Sequence, residues 1–325
     1  MSIESDLIID RRRMRRKLTF WRVVTAVLAI AAIVAIGVFA TPAGRKLTAS
    51  HAIARVTIEG LIRSNQDRVE ALERLAKSSA PAVIVHINSP GGTTSGSEQL
   101  YDALTRLKAK KPLVVVVDGL CASGGYITAL ASDHIIAQQT ALVGSIGVLF
   151  QFPNFTDLLK TVGVKVEEVK SSPLKAAPNG YEPTSPEARA ALDALVKDSY
   201  AWFKGLVQKR RGMDDAQLAQ VDDGRVFTGR QAIGLKLIDQ LGDERTAIAW
   251  LVAQKKISPD TPVRDYKMSS RFGDLTFLRT AMSMALDGMG LSALARRVEQ
   301  TDVARAVDRL SLDGMLALWE PAAAN

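Results

Sequence analysis

Three observations on the 325-residue sequence predict an α/β domain with a mainly parallel sheet. From about residue 52 onward, short apolar runs alternate with segments of helical periodicity. The middle runs are apolar enough to be buried on both faces, as strands of a parallel sheet are. Two glycine-rich loops follow the two most apolar runs. We therefore expect both loops at the edge of the sheet, where strands turn into helices.

The predicted elements follow one another in the order that such a domain requires. Five runs are predicted as strands: Ala52–Ile58, Ala82–Ile87, Pro112–Val117, His134–Ala137 and Val164–Val169. Between them, helices are predicted near residues 65–78, 95–110, 124–132 and 154–162. A longer helix is predicted from Ser185, with Pro186 at its first position, to about Arg211. Further helices fit residues 214–220, 228–235 and 243–255.

The first forty residues have the pattern of a membrane anchor. Residues 1–22 carry seven cations and three acids, whereas residues 23–40 carry no charge. With Phe20 and Trp21 in front, this apolar stretch approaches the roughly 20 residues that a transmembrane helix needs. The cations before it predict a single-pass protein with a cytoplasmic N-terminus. A cleaved signal peptide, ending near Val38–Ala40, is the alternative interpretation.

The remainder divides into three parts. Residues 41–51 form a linker with proline and glycine, residues 52–265 form the α/β domain, and residues 266–325 form an amphipathic helical tail. The apolar residues of the tail are predicted to cover a groove or a partner rather than to enter a membrane.

Composition excludes several classes of function. Half of the net charge of +8 lies in residues 1–22, and the remaining +4 is spread over residues 41–325, which is no footprint for nucleic acid. One cysteine excludes an intrachain disulfide framework and a multi-cysteine zinc site, and three histidines leave little for a metal centre. We predict no metal and no cofactor, and we interpret Cys121 as a small packing residue beneath the turn at Ser123.

The second glycine-rich loop, residues 122–126, presents a candidate nucleophile. Ser123 stands at a sharp strand-to-helix turn, and the amide of Gly124 can donate toward an oxyanion, as in a nucleophile elbow. In the first loop, residues 88–92, Gly91 or Gly92 could offer a second amide. The alternative is two ordinary glycine turns or a phosphate cradle. Neither loop matches a nucleotide-binding motif, so nucleotide binding has weak support.

A serine nucleophile needs a base, and the histidines are poor candidates. His86 lies within an apolar strand, His134 opens another, and no G-x-S-x-G motif is present. A Ser-Lys dyad is the alternative to a triad. A lysine that acts as a base near pH 7 needs its pKa lowered by roughly 3 units, which burial can supply. Lys170 and Lys175 both follow the last predicted strand, and their spacing does not choose between them.

Taken together, these stretches resemble the signal peptide peptidase SppA family, in its single-length bacterial form. The resemblance is carried, in family order, by VTIEGLI, VIVHINSPGGTTSGSEQLYDAL, VVVVDGLCASGGYITALASDHIIA, ALVGSIGV, VKSSPLKAAPNGYEPTSPEAR and DGRVFTGRQAIGLKLIDQLG, from Val56 to Gly242. It implies a crotonase-like (ClpP/crotonase) α/β fold and a membrane-anchored serine endopeptidase. It also implies homo-oligomeric rings at the bacterial inner (cytoplasmic) membrane, with the catalytic domain periplasmic or extracellular and cleaved signal peptides as substrates.

The resemblance also assigns roles to individual residues. It implies Ser123 as the nucleophile, Lys175 as the base, and Ser145 as the hydroxyl that orients the lysine. Gly124 and Gly91 would supply the oxyanion amides. By analogy with double-length members, Lys175 of one subunit is expected to reach Ser123 of a neighbour.

Three positions depart from the family pattern. Ser172 replaces a usual glycine, Ala176 stands where an aspartate is common, and Lys236 replaces the glycine of a GLVD-like turn. The first two lie in the lysine loop, so Lys175 is the assignment that they touch. The alternative functions are a SohB-like membrane protease with another substrate class, an acyl-CoA enzyme of the same fold, and a non-catalytic scaffold.

Overall fold

The computed structural model describes residues 51–268 and 316–318. We number the elements in chain order. The strands are β1 (Ile53–Ile62), β2 (Val83–Thr93), β3 (Leu113–Ala122), β4 (His134–Ala137), β5 (Leu142–Gly144), β6 (Val226–Thr228), β7 (Gln240–Leu241), β8 (Val263–Asp265) and β9 (Leu316–Leu318). The helices are α1 (Gln66–Ala76), α2 (Thr94–Lys108), α3 (Gly124–Ala129), α4 (Thr156–Thr161), α5 (Pro186–Arg211), α6 (Asp215–Leu218), α7 (Gly229–Gly234) and α8 (Glu244–Lys255).

The strands form one mixed, mainly parallel sheet in the order β6-β5-β3-β2-β1-β8. β4 pairs with β3 and β7 off this path, and β9 pairs with β2. The pairs β1–β2 and β2–β3 are parallel, whereas β5–β6 and β2–β9 are antiparallel. The predicted α/β class with a mainly parallel sheet is confirmed.

The central strands are buried on both faces, as their continuous apolar runs predict. In β3, Val115 and Val117 pack into the larger core, on the face covered by α1, α2 and α3. Val114 and Val116 point to the opposite face and pack against Ala247 and Leu251 of α8. The alternation places successive valines in different cores, so neither face of the strand meets water.

The helix ends are set by local sequence signals. The Ser185 side chain accepts a hydrogen bond from the amide of Ala188, Pro186 begins α5, and Gly212 ends it in a left-handed conformation. α1 begins after Asn65, whose side chain accepts from the amide of Arg68. The predicted helices over 65–78, 95–110, 185–211 and 243–255 are therefore confirmed with small shifts at their ends.

The predicted strand Val164–Val169 is wrong. Residues 164–169 have no regular structure and are exposed, and Val169 is fully so. Its alternating valines and charged residues imitate a half-buried strand, but no neighbouring strand pairs with it in the described part of the chain. The strands β5, β6, β7 and β8 were not predicted, because each has only two or three residues and carries too little pattern.

The two glycine-rich loops turn out to be the continuing ends of strands. β2 runs on to Thr93 by pairing Gly91 and Gly92 with Leu61 and Ile62 of β1, after a shift in register. β3 runs on to Ala122 by pairing with β5. Both loops are thus held rigidly at the carboxyl ends of adjacent strands.

The predicted anchor, residues 23–40, lies outside the described residues, as does most of the predicted tail. No helix within residues 51–268 has the length and apolar character to cross a membrane. The predicted helices of the tail likewise stay a prediction, apart from residues 316–318, which form a strand.

Candidate active site

Ser123 stands in a strained turn between β3 and α3. Its backbone has φ 53° and ψ −116°, a conformation that non-glycine residues seldom adopt. A hydrogen bond to the neighbouring strand β5 stabilises the turn: the Ser123 amide donates to the carbonyl of Gly144 at 2.7 Å. This geometry is that of a nucleophile elbow, in which the strand-to-helix turn pushes the side chain outward from the sheet.

The Ser123 hydroxyl has no hydrogen-bond partner among the described residues, although the residue is only 1% exposed. A buried hydroxyl without a partner costs about 1–3 kcal/mol, so such groups are uncommon in folded proteins. An unpaired hydroxyl in a strained turn is the state expected of a nucleophile whose base comes from elsewhere.

Gly124 and Gly125 bring the first glycine-rich loop close to this turn. Gly124 is the first residue of α3, so its amide has no acceptor within the helix. A Cβ on Gly125 would lie 2.9 Å from the carbonyl oxygen of Ser89. Only glycine therefore lets α3 pack this closely against the end of β2.

Gly91 has a left-handed φ of 106° and lies on the edge of β2. Its amide donates a 3.1 Å hydrogen bond to Ser89 Oγ, which in turn donates 2.7 Å to the carbonyl of Gly60. The amide is therefore already engaged in this structure, so it can bind an oxyanion only by exchanging that bond.

Ser145 directly follows Gly144, whose carbonyl accepts the hydrogen bond from the Ser123 amide. It is 6% exposed, has a φ of 52°, and its amide donates to the carbonyl of Arg225 at 2.9 Å. Two consecutive residues of one segment, Gly144 and Ser145, thus lie beside the turn at Ser123. No hydrogen bond joins Ser145 to Lys175 among the described residues.

Lys175 is not brought to this cluster within one subunit. It lies exposed in a loop, where its amide donates to the carbonyl of Ser172 at 3.1 Å. Within residues 51–268, its ammonium makes no hydrogen bond and no ion pair. It borders an open cavity of about 500 Å³, formed by its own loop and lined by Glu168, Val169, Lys170, Ser171, Lys175 and Ala176.

Lys170 differs from Lys175 in its partners. Its ammonium contacts Glu168 at 2.5 Å and Glu182 at 2.6 Å. The hydrogen bonds that Lys170 donates to Glu168 and Glu182 raise the pKa of Lys170, so it stays protonated in this arrangement. Two carboxylates hold the Lys170 ammonium, whereas that of Lys175 has no partner within residues 51–268, so Lys175 is the better candidate of the two.

The histidines have partners other than Ser123. His86 Nδ1 lies 2.9 Å from Asp118 and Nε2 lies 2.8 Å from Glu244, so both ring nitrogens are engaged. His134 stacks on Trp250, with ring centroids 4.7 Å apart, and contacts Gln240. Both histidines thus contact side chains other than that of Ser123, as expected for poor candidates for its base.

Cys121 lies directly beneath the turn. It is fully buried between Ser89 of β2 and Val143 of β5, and burial raises the pKa of its thiol. The thiol is therefore unreactive and acts in packing, as predicted. Among the described residues, no cluster of three or more histidine, cysteine or acidic side chains could hold a metal ion.

The sequence did not reveal one further element of the site. β9 pairs antiparallel with the end of β2, with Leu318 opposite Gly91, Ala317 opposite Gly92 and Leu316 opposite Thr93. The short apolar run in the tail and its predicted groove-covering role were the only signals of it.

Comparison with known proteins first defines the class of fold. The sequence profile of the Clp protease family matches residues 55–142, which contain most of β1, all of β2 to β4 and both glycine-rich loops. The fold is thus an α/β fold of the ClpP kind. A ClpP1 mutant from Listeria monocytogenes covers 59% of this chain and 92% of its own, with a TM-score of 0.41 and 16% identity.

The family follows from closer relatives. The profile of Peptidase family S49 matches residues 105–258. "Putative protease slr0021" of Synechocystis is 36% identical over 210 residues, which are 64% of this chain and 76% of that protein. "Putative signal peptide peptidase SppA" of Enterococcus faecium is 31% identical over 63% of this chain and 60% of its own length. The chain belongs to Peptidase family S49, a family of serine-type proteases, which confirms the resemblance.

Proposed function

We propose that the chain is a membrane-anchored serine endopeptidase in which Ser123 is the nucleophile and Lys175 is the base. The observation that carries the proposal is the unpaired, buried Ser123 hydroxyl in a strained turn whose amide is fixed by Gly144. The strain and the missing partner both cost stability, and such costs are found where function requires them.

The reaction is acyl transfer in two halves. Neutral Lys175 takes the proton of Ser123, whose oxygen attacks the carbonyl carbon of the peptide bond. The amides of Gly124 and Gly91 stabilise the oxyanion, and the lysine then gives its proton to the leaving amine. Water attacks the resulting ester in the second half and releases Ser123. The Ser145 hydroxyl orients the lysine, and no metal or nucleotide takes part.

The lysine is supplied by a neighbouring copy of the chain. Lys175 is exposed, and the segment around it exposes large apolar side chains to water; they include Leu149, Phe150, Phe155, Leu158, Val162, Val164, Val166, Val169 and Leu174. An apolar surface of this kind is typical of a protein interface. Assembly into a ring would bury it, and burial lowers the pKa of a lysine amine toward the range in which it acts as a base.

The substrate is an extended, apolar peptide, of which cleaved signal peptides are the proposed source. The two glycine-rich loops beside Ser123 consist mainly of small residues, which suits the approach of an extended main chain. An anchor at residues 23–40 would hold the catalytic domain on the periplasmic or extracellular side of the bacterial inner membrane, where such peptides are released. The substrate class is tested by incubating the full chain with signal peptides and, separately, with casein, and by measuring the two cleavage rates. Faster cleavage of casein would favour the alternative of a SohB-like protease.

The test of the dyad uses two single variants of the full chain, Ser123→Ala and Lys175→Ala. Each alone is expected to lose peptide cleavage while it keeps its thermal unfolding midpoint. Mixing the two under conditions that exchange subunits is expected to restore part of the activity, because some interfaces then carry both intact residues. The matched control is Lys165→Ala, which replaces an exposed lysine of the same loop and should keep full activity.

Two results would overturn parts of the proposal. Full activity of Lys175→Ala would exclude this lysine as the base. Loss of activity in both single variants without recovery in a mixture that demonstrably exchanges subunits would place the dyad within one subunit.

A further inference from the structure

The tail of the chain returns to the candidate active site as a strand. Although residues 269–315 separate it from the rest of the described domain, β9 pairs with Gly91, Gly92 and Thr93 at the end of β2. The pairing is antiparallel, whereas β2 is parallel to both of its other neighbours.

The edge that β9 occupies is the one beside the nucleophile. On one side, Gly91 and Gly92 pair with β1. On the other side, β3 follows β2 only as far as the pair Ser89–Cys121, and then turns away at Ser123. β9 takes the place that β3 leaves and contacts both α2 and α3, the helix that begins at Gly124. The tail strand therefore lies along the edge that carries Gly91, next to the turn that carries Ser123.

A strand edge accepts one extended chain at a time. Main-chain hydrogen bonds supply most of the affinity in such pairing, so a tail segment and a peptide of other sequence compete for the same donors and acceptors. A segment on the same chain has a high effective concentration at this edge, which favours it over a dilute peptide. With only three paired residues, however, β9 is short enough to be displaced.

We propose that β9 occupies the substrate's place in the resting enzyme, so that a peptide substrate must displace the tail before it reaches Ser123. This autoinhibition rests on the proposed function, since it concerns the same edge and the same nucleophile. A tail that occupies the edge about nine-tenths of the time weakens the apparent affinity for a peptide about tenfold.

The test breaks β9 in the full chain without touching the catalytic residues. Ala317→Pro removes one main-chain donor, and the double variant Leu316→Pro/Leu318→Pro removes the two on either side. Because donors in an antiparallel pair alternate between the two edges, one of these variants removes donors that face β2. Ala322→Pro, the same substitution beyond the strand, is the matched control.

The first readout is binding and needs no chemistry. In a Ser123→Ala background, a fluorescent, end-capped peptide with the sequence of residues 313–320 is titrated against each variant. One strand-breaking variant is expected to bind it about tenfold more tightly than the Ala322→Pro control. Equal affinity in all variants, or no binding in any, would overturn the proposal.

The second readout is the rate at which a fluorophosphonate probe labels Ser123 in chains that keep the serine. Strand-breaking variants are expected to react several-fold faster than the control, and equal rates would contradict the proposal.

The experiments distinguish failure of the autoinhibition from failure of the proposed function. If Ser123→Ala retains peptide cleavage, the proposed nucleophile is wrong, yet the binding readout still decides whether β9 covers the edge.

Discussion

The amide of Ser123 donates a 2.7 Å hydrogen bond to the carbonyl oxygen of Gly144. The bond crosses from the end of β3 to the end of β5, next to the pair Ala122–Gly144 in the sheet. It joins the strained turn to the neighbouring strand β5. Since Ser145 follows directly, one short segment both fixes the turn at Ser123 and presents the hydroxyl proposed to orient the base.

Gly144 is therefore predicted to be required for activity. It has a φ of 108°, and a Cβ at this position would lie 3.2 Å from the ring of Phe227. We expect Gly144→Ala to lower the free energy of unfolding by about 1–3 kcal/mol and to reduce kcat, because the backbone must move to relieve the strain. Urea unfolding and peptide cleavage measure the two effects.

Gly147→Ala is the matched control for that substitution. Gly147 lies three residues further on, and its Cβ would make only ordinary contact, 3.6 Å from Gly224. Gly147→Ala should change the free energy of unfolding by much less than Gly144→Ala does. Equal effects of both substitutions would show that Gly144 has no special role behind the turn.

Gly92 is predicted to be indispensable for folding rather than for chemistry. A Cβ on Gly92 would lie 1.8 Å from the backbone carbonyl oxygen of Ile62, and this backbone belongs to the paired strand β1. We expect Gly92→Ala to separate the ends of β1 and β2, with a loss of several kcal/mol, on the order of the largest single-site effects. Yield of soluble protein and the urea unfolding midpoint measure it.

Gly205→Ala gives the opposite expectation and serves as its control. Gly205 lies inside α5 with open space around its Cβ position, so alanine should raise stability by about 0.5–1 kcal/mol. A stabilising Gly92→Ala would contradict the close approach of β1 and β2.

The sequence predicted the parts of the fold that depend on long apolar runs and on helix-end signals. β1, β2 and β3, and helices such as α5, were within reach because each has many residues or a serine, proline or glycine at its end. The short strands β5 and β8 were missed because three residues have no readable period. Val164–Val169 was mistaken for a strand because alternation alone does not say whether a partner strand exists.

The candidate site divides in the same way. The turn at Ser123 and Gly124 was predicted from residues that follow one another along the chain, and Gly91 was assigned by the resemblance. Pairings between distant segments were not, such as that of Ser123 with Gly144 or of Gly91 with Leu318. The place of Lys175 relative to Ser123 stays a prediction, since the two residues are proposed to come from different copies of the chain.

Tyr126 is predicted to stabilise the fold by linking α3 to the segment that carries Leu237. Its ring is fully buried, and its hydroxyl donates a 2.8 Å hydrogen bond to the carbonyl of Leu237. Tyr126→Phe leaves that carbonyl without its partner, so we expect a loss of about 1–3 kcal/mol in urea unfolding. The exposed Tyr181→Phe should change stability by less than about 0.5 kcal/mol. Equal losses would show that the Leu237 contact contributes nothing.

Glu244 is predicted to make stability depend on pH below neutrality. Its carboxylate accepts hydrogen bonds from Arg55 at 2.5 and 2.6 Å and lies 2.8 Å from His86 Nε2, which joins α8 to β1 and β2. The hydrogen bonds from Arg55 hold the pKa of Glu244 below its ordinary value of 4.5, against the opposing effect of burial.

A carboxylate whose pKa is lower in the folded state binds fewer protons there than in the unfolded chain. Its contribution to stability is therefore full above about pH 4.5 and is lost as the pH falls through the folded-state pKa. Glu244→Gln should be less stable than the wild type at pH 7, and the difference should shrink as the pH is lowered from 5 to 3. Urea unfolding across this range measures it. A difference that stays constant with pH would mean that the contact with Arg55 acts through packing alone, because glutamine keeps the shape of glutamate but cannot titrate.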